Sequence, residues 1–181
     1  MPEQAIRKEY EQQGVRGFYE QFGDIYRNPH EEAIRTALND GLSRWQVDLS
    51  HVLDLACGSG EVTLALQELG CTSIDGIDPY TAEAYQARTG RQAELLTFEQ
   101  IAEGALEDRR YSLIVCSYAL HLLPVSCLPV VTYQLQRLAP TLIILTPHKR
   151  PQLREAWGWR LEDEIVVVRV RARLYRAVYH P

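Results

Sequence analysis

The chain is predicted to be an α/β protein. The expected architecture is a mostly parallel sheet of seven strands, with helices on both faces and an antiparallel hairpin at the C-terminal end. Three observations carry this. From residue 51 to residue 146 short apolar runs alternate with amphipathic helical stretches, the pattern of successive βα units. A Gly58-Ser-Gly60 turn joins the first of these strands to its helix. After residue 157 the period changes to two, and no helix fits between the last two strands.

The elements follow in order. Residues from about Glu3 to Arg44 read as helical, with Ile6, Tyr10, Phe18, Phe22 and Ile25 roughly on one face. Gly14, Gly17 and Gly23 weaken that stretch. Asn28-Pro-His-Glu31 is a helix start: Asn28 suits the cap, Pro29 the first turn, and Glu31 the positive helix end. Ile34, Leu38 and Leu42 form the stripe of that helix. Val52–Ala56 is an apolar strand interrupted by Asp54. Val62, Ala65, Leu66 and Leu69 make a helical stripe closed by Gly70. Ser73–Asp78 is the second strand, and Thr81–Arg88 a helix ending at Gly90. Ala93–Thr97 is a third strand, and Phe98–Ala105 a short helix. Leu113–Tyr118 is the fourth strand. Ser126 caps a helix lined by Leu128, Val131, Leu135 and Leu138, and Leu142–Thr146 is the fifth strand. Trp157–Glu162 and Val166–Tyr179 form the hairpin. There Val168, Val170, Ala172 and Leu174 alternate with Arg169, Arg171 and Arg173. One face in the core and one in solvent explains this pattern; an anion-binding arginine row is the alternative.

At 181 residues the chain is expected to form one domain, residues 1–181, with a helical lid over 1–45 and an α/β core over 51–179. Apolar residues make up 46% and charged residues 24%, an ordinary globular balance. A net charge of −5 argues against broad nucleic-acid binding. No run of 18 apolar residues is present, and Met1 to Arg16 does not resemble a secretory signal. Cys57, Cys71, Cys116 and Cys127 contain no Cys-x-x-Cys pair, so neither a zinc site nor a disulfide framework is expected, and a cytoplasmic location is.

A tight glycine turn after a buried strand lets the backbone approach a nucleotide-like ligand. A dinucleotide fingerprint requires Gly-x-Gly-x-x-Gly. Here the run is Gly58-Ser-Gly60-Glu-Val-Thr63, without the third glycine. Glu61 stands at the helix N-terminus, where it would repel a pyrophosphate. A nicotinamide oxidoreductase is therefore disfavoured, and the expected ligand carries no phosphate against the turn.

Val-Leu-Asp54-Leu-Ala-Cys-Gly58-Ser-Gly60 resembles the first motif of the class I S-adenosylmethionine-dependent methyltransferases. Gly76-Ile-Asp78 resembles the end of that family's second strand, and Tyr111 to Pro124 its fourth strand and following loop. Leu142–Pro147 and the terminal hairpin also match. The resemblance spans residues 51–179 and implies a Rossmann-like methyltransferase sandwich with S-adenosyl-L-methionine as cofactor. By that resemblance Asp54, Ala56, Cys57, Gly58 and Gly60 surround the methionine part of the cofactor, Asp54 partly through the turn backbone. Asp78 takes the ribose, twenty residues after Gly58, and Pro79 or Tyr80 flanks the adenine. Phe98 or Glu99 bounds the adenine from the third-strand side, plain core packing being the alternative for Phe98. Ser117 and Tyr118 lie under the sulfonium. Tyr19 and Tyr26 belong to a segment resembling the N-terminal lid of small-molecule members.

Methyl transfer from a sulfonium is an in-line displacement, so alignment and exclusion of water dominate. A base is needed only for a nucleophile protonated at neutral pH. His121 after the fourth strand and His148 after the fifth are the candidate catalytic residues, with surface or positioning roles as the alternative. No Asn-Pro-Pro-Tyr or Asp-Pro-Pro-Tyr follows the fourth strand, which speaks against the amino-methylating nucleic-acid enzymes. A small-molecule acceptor is expected, with a partner protein also possible and no metal. The competing reading is a catalytically silent, methyltransferase-like binding or regulatory subunit.

Overall fold

The computed structural model describes residue 14 and residues 16–179. Ile6 and Tyr10, expected on the first helical face, lie outside the described residues. Residues 16–22 are helical and run into a 3-10 turn at Gly23–Ile25. The following helices are α1 (Glu31–Arg44), α2 (Glu61–Glu68), α3 (Ala82–Thr89), α4 (Phe98–Ala102) and α5 (Leu128–Leu138). The strands are β1 (Val52–Leu55), β2 (Ile74–Ile77), β3 (Ala93–Glu94), β4 (Leu113–Ser117), β5 (Thr141–Thr146), β6 (Trp159–Val167) and β7 (Val170–Ala177).

They form one seven-stranded sheet in the order β3-β2-β1-β4-β5-β7-β6. The pairs among β1 to β5 are parallel, whereas β7 runs antiparallel to both β5 and β6. The central strands are buried along their length except at Ser117, the last residue of β4, which explains why they read as continuous apolar runs. Alternate residues feed two cores. Leu53, Leu55, Ile114 and Ile144 pack with Leu128, Leu135 and Leu138 of α5. Val52, Val115, Ile143 and Leu145 pack with Ile34 and Leu38 of α1 and Val62 and Leu66 of α2. The strand order reverses between β1 and β4. A crevice therefore opens beyond their carboxyl ends, where open α/β sheets bind ligands.

Several local expectations are corrected. The first helical region is broken between residues 22 and 31. Helix α1 starts after His30, and Asn28 acts one step earlier, its side chain accepting the His30 backbone N–H at 2.9 Å. Strand β3 is only Ala93–Glu94, because Thr97 leaves the extended run to form a capping box with Gln100. The N-cap of α5 is Cys127 rather than Ser126, and no side chain caps that end.

The hairpin departs furthest from expectation. Val168 and Arg169 are its two turn residues, both at positive φ, and Val168 is exposed rather than in the core. The arginine face of β7 is not a solvated face. Arg173 is 0% exposed, and its guanidinium bonds Glu164 at 2.5 Å and the carbonyls of Pro151, His148 and Lys149. Glu164 also takes Arg171 at 2.8 Å. The arginines are thus answered by β6 and by the loop after β5. A buried arginine needs such partners, because an unpaired charge in the interior is costly.

Arg173→Ala is expected to lower the unfolding free energy by about 3 kcal/mol, since it opens a cavity at a fully buried side chain, removes one of the two arginines on Glu164 and leaves three carbonyls without their donor. Arg171→Ala, at a more exposed pair, costs about 1 kcal/mol at most. Urea denaturation of the two variants measures the contrast.

Candidate active site

A cavity of about 1070 Å³ lies beyond the carboxyl ends of β1, β2 and β4. Its floor is the segment from Asp54 to Gly58. Cys57 donates its N–H to the Ile77 carbonyl at 3.0 Å, and Gly60 donates to the Cys57 carbonyl at 2.9 Å, closing the turn. Ala56 and Gly58 adopt φ values of 56° and 54°, in the left-handed region. For Ala56 this is a strained conformation, a feature that clusters at functional sites.

Asp54 is 1% exposed and stands at the N-terminal end of α2. Its Oδ2 accepts the Thr63 N–H at 3.1 Å and the Thr63 hydroxyl at 2.7 Å. The carboxylate thus acts on α2 through Thr63 rather than on the glycine turn. Its Oδ1 is buried with no hydrogen-bond partner among the described residues. Burial pushes the carboxyl up to about 7; the Thr63 hydrogen bonds oppose that, and the charges of Glu61 and Asp78 add to it.

Asp78, at the end of β2, accepts the N–H groups of Tyr80 at 2.9 Å, Thr81 at 3.1 Å and Gly58 at 3.2 Å. Burial raises its carboxyl above the usual range while those donors pull it down. It therefore ties β2 to the glycine turn and also lines the cavity. Thr81 reinforces the tie by donating its hydroxyl to the Gly58 carbonyl at 2.7 Å.

Glu61 is buried and is not an isolated charge. Its Oε1 accepts from the Asn28 N–H at 3.1 Å, from the Ser59 hydroxyl and from Arg88 at 3.4 Å. Arg88 also bonds the Ser59 carbonyl at 3.1 Å and Glu31 at 2.5 Å. One arginine on α3 thus joins the glycine turn to the start of α1. The tyrosine segment before α1 lies along the cavity. Tyr19 packs on Tyr26 at 5.1 Å between ring centroids and stacks on Tyr80 at 6.1 Å. Gly23 permits this approach, because a Cβ there would stand 2.1 Å from the Tyr80 carbonyl oxygen.

Of the residues expected at the cofactor, Asp54, Ala56, Cys57, Gly58, Asp78, Pro79, Phe98, Ser117, Tyr19 and Tyr26 all line this cavity. Gly60 does not. Its φ of 93° shapes the turn, and an added Cβ would meet the Thr89 methyl at 2.4 Å, so glycine serves packing against α3. Cys57 and Cys116 are buried thiols held protonated by desolvation. Ser117 closes the far side, and its Oγ is a second buried atom with no partner among the described residues. Tyr118 beside it has φ 55°, and its ring stacks on His30 at 5.1 Å.

His121 and His148 come together, with ring centroids 4.6 Å apart, beyond β4 and β5. Neither lines the large cavity. His121 instead borders a small pocket that shares Ala119 with it. Burial, with a smaller contribution from the neighbouring His148, lowers the His121 imidazole to about 4, so the ring is neutral at pH 7. Its Nδ1 is buried and has no partner among the described residues. Sequence reasoning missed Arg88 and the wall formed by Leu122, Leu123, Val130 and Val131. Thr63 had a signal, since it stands where a third glycine would be, but its partner Asp54 is visible only in three dimensions.

This sheet order, the glycine turn and the acidic ends of β1 and β2 define the class I S-adenosylmethionine-dependent methyltransferases. The profile of the methyltransferase domain family matches residues 26–178, and the chain belongs to that family. A protein of Schizosaccharomyces pombe, itself uncharacterised, is 34% identical, with 96% of this chain and 92% of that protein covered. Among solved structures, the N-methyltransferase NodS of Bradyrhizobium japonicum, bound to S-adenosylhomocysteine, superposes with a TM-score of 0.64 at 17% identity, covering 97% and 98%. Magnesium protoporphyrin IX methyltransferase of Synechocystis, with bound S-adenosylmethionine, gives 0.59 at 18%, covering 96% of each chain. A 16S rRNA methylase gives 0.58 at 18%, covering 98% of this chain and 75% of that one.

The Asp54 carboxyl titrates higher in the folded chain than in the unfolded one. Its ionisation therefore opposes folding, beginning near pH 4 and complete above about pH 7. Asp54→Asn is expected to match the parent at pH 4 and to exceed its stability at pH 8 by up to about 4 kcal/mol. Denaturation at the two pH values checks it; equal stability at pH 8 refutes the assignment.

Proposed function

We propose that the chain binds S-adenosylmethionine in the 1070 Å³ cavity and methylates a small molecule there. The observation that carries this reading is the pairing of two orphaned oxygens, Asp54 Oδ1 and Ser117 Oγ, with that cavity. A buried acceptor without a donor is unfavourable, and the ammonium and hydroxyl groups of the cofactor have the chemistry to answer it. The cofactor supplies a methyl group already activated by a sulfonium charge. The residues of the chain bind, orient and exclude water.

In this reading Ala56, Cys57 and Gly58 offer close-approaching backbone to the methionine end, with Asp54 beneath and Gly60 holding the turn. Asp78 keeps lone pairs for the ribose hydroxyls beyond its three backbone donors. Pro79 and Phe98 bound the adenine, Ser117 lies near the sulfonium, and Tyr19 and Tyr26 cover the opening. His121 and His148, the candidate bases, stand beyond Ala119 and do not line this cavity, so substitution of each tests their part in removing a proton from an acceptor. A small acceptor is favoured by this tyrosine cover and by the short run from β5 to β6. The net charge of −5 works against a polyanionic substrate.

Calorimetric titration is expected to show binding of S-adenosylmethionine and S-adenosylhomocysteine, and none of NAD. Loss of both sulfur ligands refutes the proposal. Asp78→Ala should weaken cofactor binding by about 1–3 kcal/mol. If His121 is the base, its ionisation leaves the rate unchanged between pH 6 and 8, because the ring is neutral throughout that range. Full turnover by both His121→Ala and His148→Ala would remove the pair from the chemistry.

A further inference from the structure

The lining of the cavity falls into two chemically distinct sets. Its ionisable carboxylates, Asp54, Glu61, Asp78 and Glu99, come from β1, the glycine turn, β2 and the start of α4. The wall contributed by residues 117–131 contains no charged or histidine side chain: Leu122, Leu123, Pro124, Cys127, Val130 and Val131 supply most of it. Val130 of this wall is also 52% exposed, and Val125 and Tyr133, near it in sequence, are 70% and 55% exposed. Exposed apolar side chains next to a cavity mark a place where apolar matter can enter. The volume of about 1070 Å³ lies at the upper end of the ~300–1,000 Å³ range of ligand pockets.

We propose that the wall from Leu122 to Val131 is the acceptor subsite and that it selects an uncharged acceptor with an apolar, alkyl or aryl, body. This rests on the cofactor lying against the carboxylates. Carboxylates there suit a cationic cofactor. Arg16, the one cation lining the cavity among the described residues, lies outside this wall, and the wall itself has no charged group to compensate a charge on the acceptor; burying an unpaired charge against Leu123 and Val131 is costly. An acceptor of this class gains its affinity from the area that it removes from water along α5.

Three probes with one apolar body separate the possibilities: 1-naphthol, naphthalene-1-sulfonate and 1-naphthylmethylammonium. Fluorescence titrations are run with and without saturating S-adenosylhomocysteine, whose own binding is measured by calorimetry. The expected result is 1-naphthol binding at least about tenfold tighter than either charged analogue, and persisting when S-adenosylhomocysteine is bound. Val130→Asp, at a half-exposed position, should weaken 1-naphthol by about fivefold or more and leave the affinity for S-adenosylhomocysteine unchanged. Equal or tighter binding of a charged analogue overturns the proposal, as does indifference to Val130→Asp. Displacement of 1-naphthol by S-adenosylhomocysteine also overturns it, because the apolar wall would then belong to the cofactor. Failure of S-adenosylhomocysteine to bind at all counts against the cofactor assignment instead, so the two readings fail separately.

Discussion

The bond from the Thr63 N–H to the Asp54 carboxylate is the interaction on which the site depends. A carboxylate at the end of a central parallel strand has left water almost completely. It stays there because the N-terminal end of α2 offers an unpaired N–H and a hydroxyl in the right place. That pairing fixes the angle at which α2 leaves β1. The angle in turn sets Ala56 and Gly58 in left-handed conformations and opens the cavity above them. Only one oxygen of Asp54 is used in this way; the other is buried without a partner among the described residues, in a residue that lines the cavity.

A second layer of polar contacts holds the covering segment. Glu61 and Arg88 act as a clamp between the glycine turn, α3 and the start of α1. Asn28 joins the same clamp through its backbone. The tyrosines at 19 and 26 are therefore positioned by charges several residues away from them. Glu61, which repels a phosphate at this helix end, has a structural use at that position. The same residue thus disfavours one class of ligand and builds the enclosure for another.

Much of the fold was legible because burial on both faces leaves a direct trace in residue type. The runs Val52–Leu55, Leu113–Ser117 and Thr141–Thr146 could be read as central strands, and the glycine turn between β1 and α2 as a close-approach site. The elements that were misread depend on partners far along the chain. The arginines of β7 looked like a solvated face, yet Arg173 is enclosed by Glu164 and by carbonyls of the loop after β5. Periodicity reports that two faces differ, not which of them a neighbouring strand will cover. Strand β3 is shorter than expected because a local capping box outcompeted three further residues of ladder.

The candidate site divides in the same way. The sequence by itself determined the strand order's raw material, the Gly58-Ser-Gly60 turn and the carboxylates at positions 54 and 78, because each is tied to its strand end by a few residues of local geometry. Tertiary structure alone decided that Asp54 answers Thr63, that Gly60 serves packing against α3, and that His121 and His148 stand together outside the main cavity. It also decided that uncharged residues around the start of α5 line the same cavity as the carboxylates. These are relations between elements whose separation is set by sheet order and helix packing, and the spacing of residues along one chain does not contain them.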